Sequence, residues 1–192
     1  MAYTPKSQGF LRGNGDCRNT YFYKKSQVIY DLTFFFAHKY LVPKDRTIDQ
    51  MIQAARSGKQ NFVEGMADGV TSTEMQIKLL NVGKSSLLEL REDYEDYLRT
   101  RNLTIWDNSH PRYTSMVHYC KYHNELSCYQ PFFQKWTAEE LSNIALTLIH
   151  QTDKMMESYL SRLEDFFVNN GGIKEAMSKA RMLSKKVDRS IK

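Results

Sequence analysis

Residues 137–172, TAEELSNIALTLIHQTDKMMESYLSRLEDFFVNNGG, contain the pattern that decides the fold. Thr137 and Glu140 match a capping box, in which the two side chains satisfy free backbone N–H groups at a helix start. Apolar positions then recur at intervals of three and four residues, which is typical of an amphipathic helix. They are Leu141, Ala145, Leu148, Thr152, Met155, Tyr159, Leu163 and Phe166. Asn170-Gly171-Gly172 ends the pattern, so the sequence predicts a helix over 137–169.

Three more long helices are predicted before this one, at 24–41, 46–67 and 72–100. The last of them begins with a second capping box, TSTE at 71–74, with Thr71 as the N-cap. Its predicted apolar stripe is Met75, Leu79, Val82, Leu87, Leu90, Tyr94 and Leu98. No segment alternates with period two over six residues, so no strand is expected.

The predicted fold is all-α, an antiparallel up-down four-helix bundle with two additions. We expect an irregular basic arm at 1–23 and a bundle at 24–170. An insert at 101–136, with one short helix near 112–124, separates the third and fourth long helices. An extra basic helix follows at 171–192.

The net charge of +5 is unevenly distributed over the 192 residues. Residues 1–26 carry +4 and residues 171–192 carry +5, whereas the body between them carries −4. Basic ends on an acidic body suggest a polyanionic partner, or they serve only to keep the chain soluble. Charge alone leaves both interpretations open.

Several classes of protein do not fit the sequence. It contains no GxxxxGK[ST], GxGxxG, GxSxG or HExxH motif, so we expect neither an enzyme nor a cofactor. Three cysteines do not suggest a secreted disulfide scaffold. The first residues lack an apolar leader and the run LTFFFAH is too short to span a bilayer, so a cytoplasmic protein without membrane contact is expected.

Two segments carry residues that could bind a ligand. The side chains of His118, Cys120, His123 and Cys128 are of zinc-ligand types, but their spacing is unusual for a structural site. A polar segment with buried thiols is the interpretation we favour. Arg56 and Lys59, three residues apart on one helix face, could either grip phosphates or pair with acidic neighbours.

The segment AARSGKQNFVEG at 54–65 resembles the second-helix signature of a bacterial four-helix-bundle family first noted in 23S rRNA intervening sequences. The matching residues are Ala54, Ala55, Asn61, Glu64 and Gly65. Residues 71–90 look like the third helix of that family. Residues 143–172 resemble its longer subgroup, the four-helix-bundle suffix proteins.

This resemblance implies a bundle without known catalysis that assembles into a ring, commonly a pentamer. One distant relative, the accessory variability determinant of diversity-generating retroelements, resembles a basic barrel that binds nucleic acid and its reverse transcriptase. We therefore expect a homo-oligomer that binds RNA or an RNA–protein complex, with a reverse transcriptase as one candidate member of the partner complex. The expected phosphate contacts are Lys24, Lys25, Arg56, Lys59, Lys174, Lys179, Arg181, Lys185, Lys186 and Arg189.

The alternative function is a protein-interaction scaffold that uses the aromatic insert, with Trp106 and Trp136, as its contact surface. In either case, some apolar residues lie outside the main stripes, and another surface must cover them. The insert and the last helix could do so, or another subunit could. We favour another subunit, with Phe35 and Leu160 at the interface.

Overall fold

A computed structural model describes residues 15–190, including all their side chains except those of residue 170 and residues 184–190. This part of the chain contains six α-helices, two short 3-10 helices and no strand. The helices are α1 Tyr21–Tyr40, α2 Arg46–Asp68, α3 Thr73–Thr100, α4 Tyr113–Tyr122, α5 Ala138–Asn170 and α6 Ile173–Ser190. The prediction of an all-α fold is confirmed. Among these helices, none is long and apolar enough to cross a membrane.

The capping residues explain where the long helices begin and end. The Thr137 side chain accepts a hydrogen bond from the backbone N–H of Glu140, and the Glu140 carboxylate accepts one from the backbone N–H of Thr137, so the predicted capping box is present. Gly171 ends α5 with φ +73°, a conformation that glycine adopts without strain. The predicted N-cap of α3 is wrong by one residue. The side chain of Ser72, and not that of Thr71, accepts a hydrogen bond from the backbone N–H of Met75.

Each of the four long helices packs against two of the others. The contacts run from α1 to α2, from α2 to α3, from α3 to α5 and from α5 back to α1. The apolar residues between them form one continuous core, in which Phe36 meets Tyr94 and Tyr97. Tyr94 is fully buried and its hydroxyl donates to Thr33 Oγ1 at 3.0 Å, so the polar group has a partner.

The closest helix–helix contact is that between α2 and α3. A Cβ on Gly58 would lie 2.6 Å from Leu87 Cδ2, and one on Gly83 would lie 2.9 Å from the Gly58 carbonyl oxygen. Beside them, the hydroxyls of Ser57 and Ser86 are 2.9 Å apart. Only residues this small allow two backbones to come so near.

The resemblance motif lies in this contact. Ala54, Ala55 and Gly65 are buried in α2, while Asn61 donates to the Ser57 carbonyl one turn earlier. Glu64 is exposed and accepts from Gln60. Four of the five motif residues therefore serve helix packing.

The predicted stripe of α3 is wrong in its first half. Met75 and Val82 are exposed, and the core positions are instead Gln76, Leu80 and Gly83. The stripe prediction counted only apolar side chains, whereas α3 turns glycine and glutamine toward α2. From Leu87 onward the prediction is correct.

The N-terminal arm is also corrected where it is described. Residues 15–20 are irregular as expected, but Cys17 is buried, and residues 21–23 already belong to α1, which begins at Tyr21. Gly15, with φ +67°, brings its backbone against Ala67 at the end of α2. Residues 1–14 lie outside the described residues.

The insert packs onto α1 and α5. The Trp106 indole donates to Glu139 at 2.9 Å, and the Trp106 backbone N–H donates to Asn143 at 2.7 Å. Phe133 stacks on Phe35 with ring centroids 5.3 Å apart. The predicted short helix is present as α4, whose Val117 carbonyl accepts from Gln151 of α5.

This packing corrects one of the two predicted oligomer interface residues. Leu160 is 5% exposed, so it lies within the core of its own chain. Phe35 is half-buried because Phe133 covers part of its ring. The insert thus covers part of this apolar surface, and Phe35 stays a predicted interface residue.

We predict that Gly83→Ala lowers the free energy of unfolding by about 1–3 kcal/mol, because the new methyl group must displace Phe62 or separate α2 from α3. The loss is expected even though alanine favours a helix over glycine by about 1 kcal/mol. Urea denaturation measures it. Ser85→Ala, an exposed change on the same helix, is the control and should be neutral or slightly stabilising; equal effects of the two changes would contradict the close contact.

Candidate nucleic-acid interface

The structure contradicts one predicted phosphate contact, Lys25. This side chain is 0% exposed and its ammonium donates to the Cys120 carbonyl, so it cannot reach a phosphate in solution. Burial lowers the pKa of Lys25 to about 8, because the charged form loses its hydration. The sequence gives little indication of this, since Lys25 follows Lys24 in a polar run.

Lys25 of α1 instead connects α1 to α4 through its hydrogen bond to the Cys120 carbonyl. Cys120 lies in the last turn of α4, where carbonyl groups have no N–H partner within the helix. A cation at a helix C-terminus is favourable, because it faces the negative end of the helix dipole. The neighbouring Cys120 thiol is buried too, which raises its pKa to about 11.

The other predicted cations of the helical body have different surroundings. Lys24 forms an ion pair with Glu125 of the insert at 2.6 Å. Lys59 is half-buried and lies over the Tyr30 ring, 4.1 Å from its centroid. Arg56 is exposed on α2 and forms no ion pair with any described residue. Arg56 is thus available for an anion, and Lys24 and Lys59 are already engaged.

The cations of α6 are available where they are described. Lys174, Lys179 and Arg181 of this helix are exposed. No ion pair involves these three residues among the described side chains. The side chains of Lys185, Lys186 and Arg189 lie outside the described part of the structure.

A basic groove that sequence analysis missed lies between α1, α4 and α5. It has a volume of about 680 Å³. Its lining includes three cations, Lys121 of α4 and Lys154 and Arg162 of α5, together with His150. Among the described residues that line it, none is an aspartate or glutamate. A concave surface of this charge attracts anions.

The groove has an apolar and aromatic floor. Phe22, Met155 and Tyr159 form its base, and Phe22 makes an edge-to-face contact with Phe62 of the core at 5.5 Å. Gln151 fixes the wall by donating to the Val117 carbonyl at 3.0 Å. The base is therefore supported by the core, whereas the cations at the rim are exposed.

We name this surface the α1–α5 groove. Two of its cations form no ion pair with described residues: Lys121 is exposed, and Arg162 donates from Nε to the Ser158 carbonyl at 3.1 Å. Lys154 pairs with Glu157 at 2.8 Å. The sequence gives one weak indication of this groove: His150, Lys154 and Arg162 are spaced by multiples of four residues along α5.

An acidic groove lies between α2 and α3, on the opposite side of the cycle of helix contacts. Asp49, Glu89 and Asp93 line it. Burial, with Asp96 and Glu89 nearby, raises the pKa of Asp93. The two sides of the helical core thus carry opposite charge.

The four residues of zinc-ligand types in the insert are not brought together. Cys120 is buried, His118 is exposed beside Tyr122, and His123 stacks on Tyr119. Within residues 15–190, no three His, Cys, Asp or Glu side chains are placed to hold a metal ion.

The aromatic insert provides less contact surface than the scaffold alternative requires. Trp106, Tyr129 and Phe133 are buried, and Trp136 is half-buried. The buried Tyr129 hydroxyl donates to the His123 carbonyl at 2.7 Å, which closes the insert on itself. These aromatic residues complete the chain's own core.

Comparisons with protein-family models, with curated proteins and with solved structures found no match to this chain. The resemblance described above remains a prediction, and the function is inferred from the two basic surfaces.

We predict that the pH dependence of stability contains a contribution from Lys25. The folded protein binds this proton less tightly than the unfolded chain does, so the free energy of unfolding should rise as pH increases from about 8 toward 10.5. Between pH 7 and 9, the wild type should gain about 1 kcal/mol relative to Lys25→Met.

Urea midpoints at the two pH values measure this difference. Lys24→Met is the matched control, because Lys24 is partly exposed and ion-paired, and it should keep the wild-type pH dependence. Parallel behaviour of wild type and Lys25→Met would contradict the burial of a titrating amine.

Proposed function

We propose that this protein is a non-catalytic, oligomeric helical bundle of the cytoplasm that binds structured RNA or an RNA-containing complex, such as rRNA or a reverse-transcriptase ribonucleoprotein. The observation that carries the proposal is the α1–α5 groove. It gathers three cations without a lining carboxylate on a body whose net charge is negative. Nucleic-acid affinity depends strongly on such clustered cations.

The bundle arrangement is part of the proposal. The connections 41–45 and 69–72 are short, and short connections favour antiparallel neighbours. The closed cycle of contacts among α1, α2, α3 and α5 supports the same arrangement.

The separation of charge favours a polyanionic partner over simple solubility. Lysines that only keep a chain soluble have no need to face one groove, and the acidic groove lies on the opposite side of the core. A polyanion would be attracted to one side and repelled by the other. This orients the protein on an RNA, with α2 and α3 turned away.

Helix α6 adds a second set of cations. Its exposed Lys174, Lys179 and Arg181 are available to phosphates, and contacts of this kind carry little base specificity. The resemblance to rRNA-associated bundle proteins points to the same class of ligand. The interaction-scaffold alternative has less support, because Trp106, Tyr129 and Phe133 of the insert are buried and Trp136 is half-buried.

We predict that wild-type protein binds rRNA fragments with an affinity that falls steeply as salt increases. Lys121→Gln/Arg162→Gln should weaken binding at low salt and reduce the slope of log K against log salt by about 1.5, since two phosphate contacts are removed. Filter binding between about 50 and 200 mM salt measures both the affinity at low salt and the slope.

The control, Arg46→Gln/Lys135→Gln, removes the same charge from exposed residues outside the groove. It should leave the slope nearly unchanged. No binding of the wild type at low salt would refute RNA binding. A polypeptide that copurifies with nucleic-acid-free protein would favour the scaffold alternative.

The oligomeric part of the proposal now depends on α6 instead of Leu160. The apolar face of α6 carries Leu183, which is 63% exposed, and the nearby end of α5 exposes Phe166 and Val168. An amphipathic helix with an uncovered apolar face is stabilised when a second surface covers it. Another copy of this chain is the partner we propose, as the resemblance implies.

We predict a solution mass several times 22.5 kDa by light scattering, and a lower mass for Leu183→Glu. Met182→Glu is the matched control: Met182 is also 63% exposed but lies on the basic face of α6, so its substitution should leave the mass unchanged. A wild-type monomer at micromolar concentration would refute the oligomer and leave RNA binding standing.

A further inference from the structure

We propose that the α1–α5 groove binds an unpaired segment of the polynucleotide, with one base stacked on Tyr21. This inference rests on the proposed function and names the form of nucleic acid that the groove accepts. Three features of the groove support it: the position of Tyr21, the cations around the apolar floor, and the shape of the groove.

Tyr21 presents an aromatic ring to the groove. It is the first residue of α1, it is 63% exposed, and it lines the groove beside Phe22. Successive helical residues point about 100° apart, so the buried Phe22 anchors the helix start while Tyr21 turns outward. No ring contact occupies Tyr21 among the described residues. Its face is therefore open to a base.

The lining of the groove combines cations with apolar side chains. Lys121 and Arg162, which form no ion pair with described residues, can each approach a phosphate at the rim, and Lys154 can do so when it leaves Glu157. Between them, Met155 and Tyr159 offer apolar surface to a base or a ribose. Proteins that bind single strands combine a positive groove with aromatic stacking positions in this manner.

A double helix would not use these features. Its bases are stacked on each other and offer no free face to Tyr21, and its width keeps it outside a groove of about 680 Å³. A duplex could reach only the cations at the rim. Dependence on Tyr21 therefore distinguishes an unpaired strand from a duplex.

Fluorescence anisotropy with the full chain tests the inference. The probes are 5′-labelled rU12, the same strand annealed to rA12, and dT12. The variants are Tyr21→Ala, Tyr21→Phe and Phe34→Ala. Phe34 is the matched control, because it is an aromatic residue of the same helix, is 48% exposed and does not line the groove. Thermal melting checks that each variant is folded.

We expect rU12 to bind more tightly than the duplex, and Tyr21→Ala to weaken rU12 binding by about tenfold. Tyr21→Phe should restore binding, since the ring is kept, and Phe34→Ala should match the wild type. Weaker binding of dT12 assigns the groove to RNA; equal binding supports the same site for single strands of both kinds.

Equal affinity of Tyr21→Ala and wild type for rU12 would overturn this inference, as would a duplex that binds as tightly as the single strand. In both cases RNA binding itself would stand. Failure of the wild type to bind any RNA probe, including the rRNA fragments, would instead remove the proposed function.

Discussion

The backbone-to-backbone approach of α2 and α3 is the constraint on which the rest of the structure depends. Gly58 and Gly83 face each other so closely that neither can carry a side chain without displacement of its neighbours. Dispersion attraction falls off steeply with distance, so a close contact of this kind gains from many atom pairs at once. Helices α2 and α3 form one side of the core, and α1 and α5 form the opposite side.

That arrangement leaves the α1–α5 side to be completed by the insert. Lys25, Glu139 and Asn143 hold it there by hydrogen bonds, and α4 becomes one wall of the basic groove. The insert thus contributes both to the core and to the candidate site. Loss of its attachment would remove Lys121 from the groove, because that residue lies on α4.

Sequence patterns predict the local structure of this protein well. Capping residues and apolar spacing place the four long helices within about three residues of their observed ends. The stripe of α3 fails because Gln76 and Gly83 occupy core positions, and neither residue type counts as apolar. The groove could not be predicted for a different reason. Lys121 and Arg162 are distant in sequence, and only the folding of α4 against α5 brings them to one surface.

The burial of Lys25 has a consequence for covalent modification. An acyl group on this amine would replace the ammonium that faces the Cys120 carbonyl with a neutral amide, and it would add volume where the side chain is fully enclosed. Acylation and closure of the insert therefore exclude each other. A folded chain protects Lys25 from amine-reactive reagents while Lys121, Lys154 and Lys179 remain accessible. The labelling of Lys25 relative to the exposed lysines therefore reports whether the insert is packed against α1.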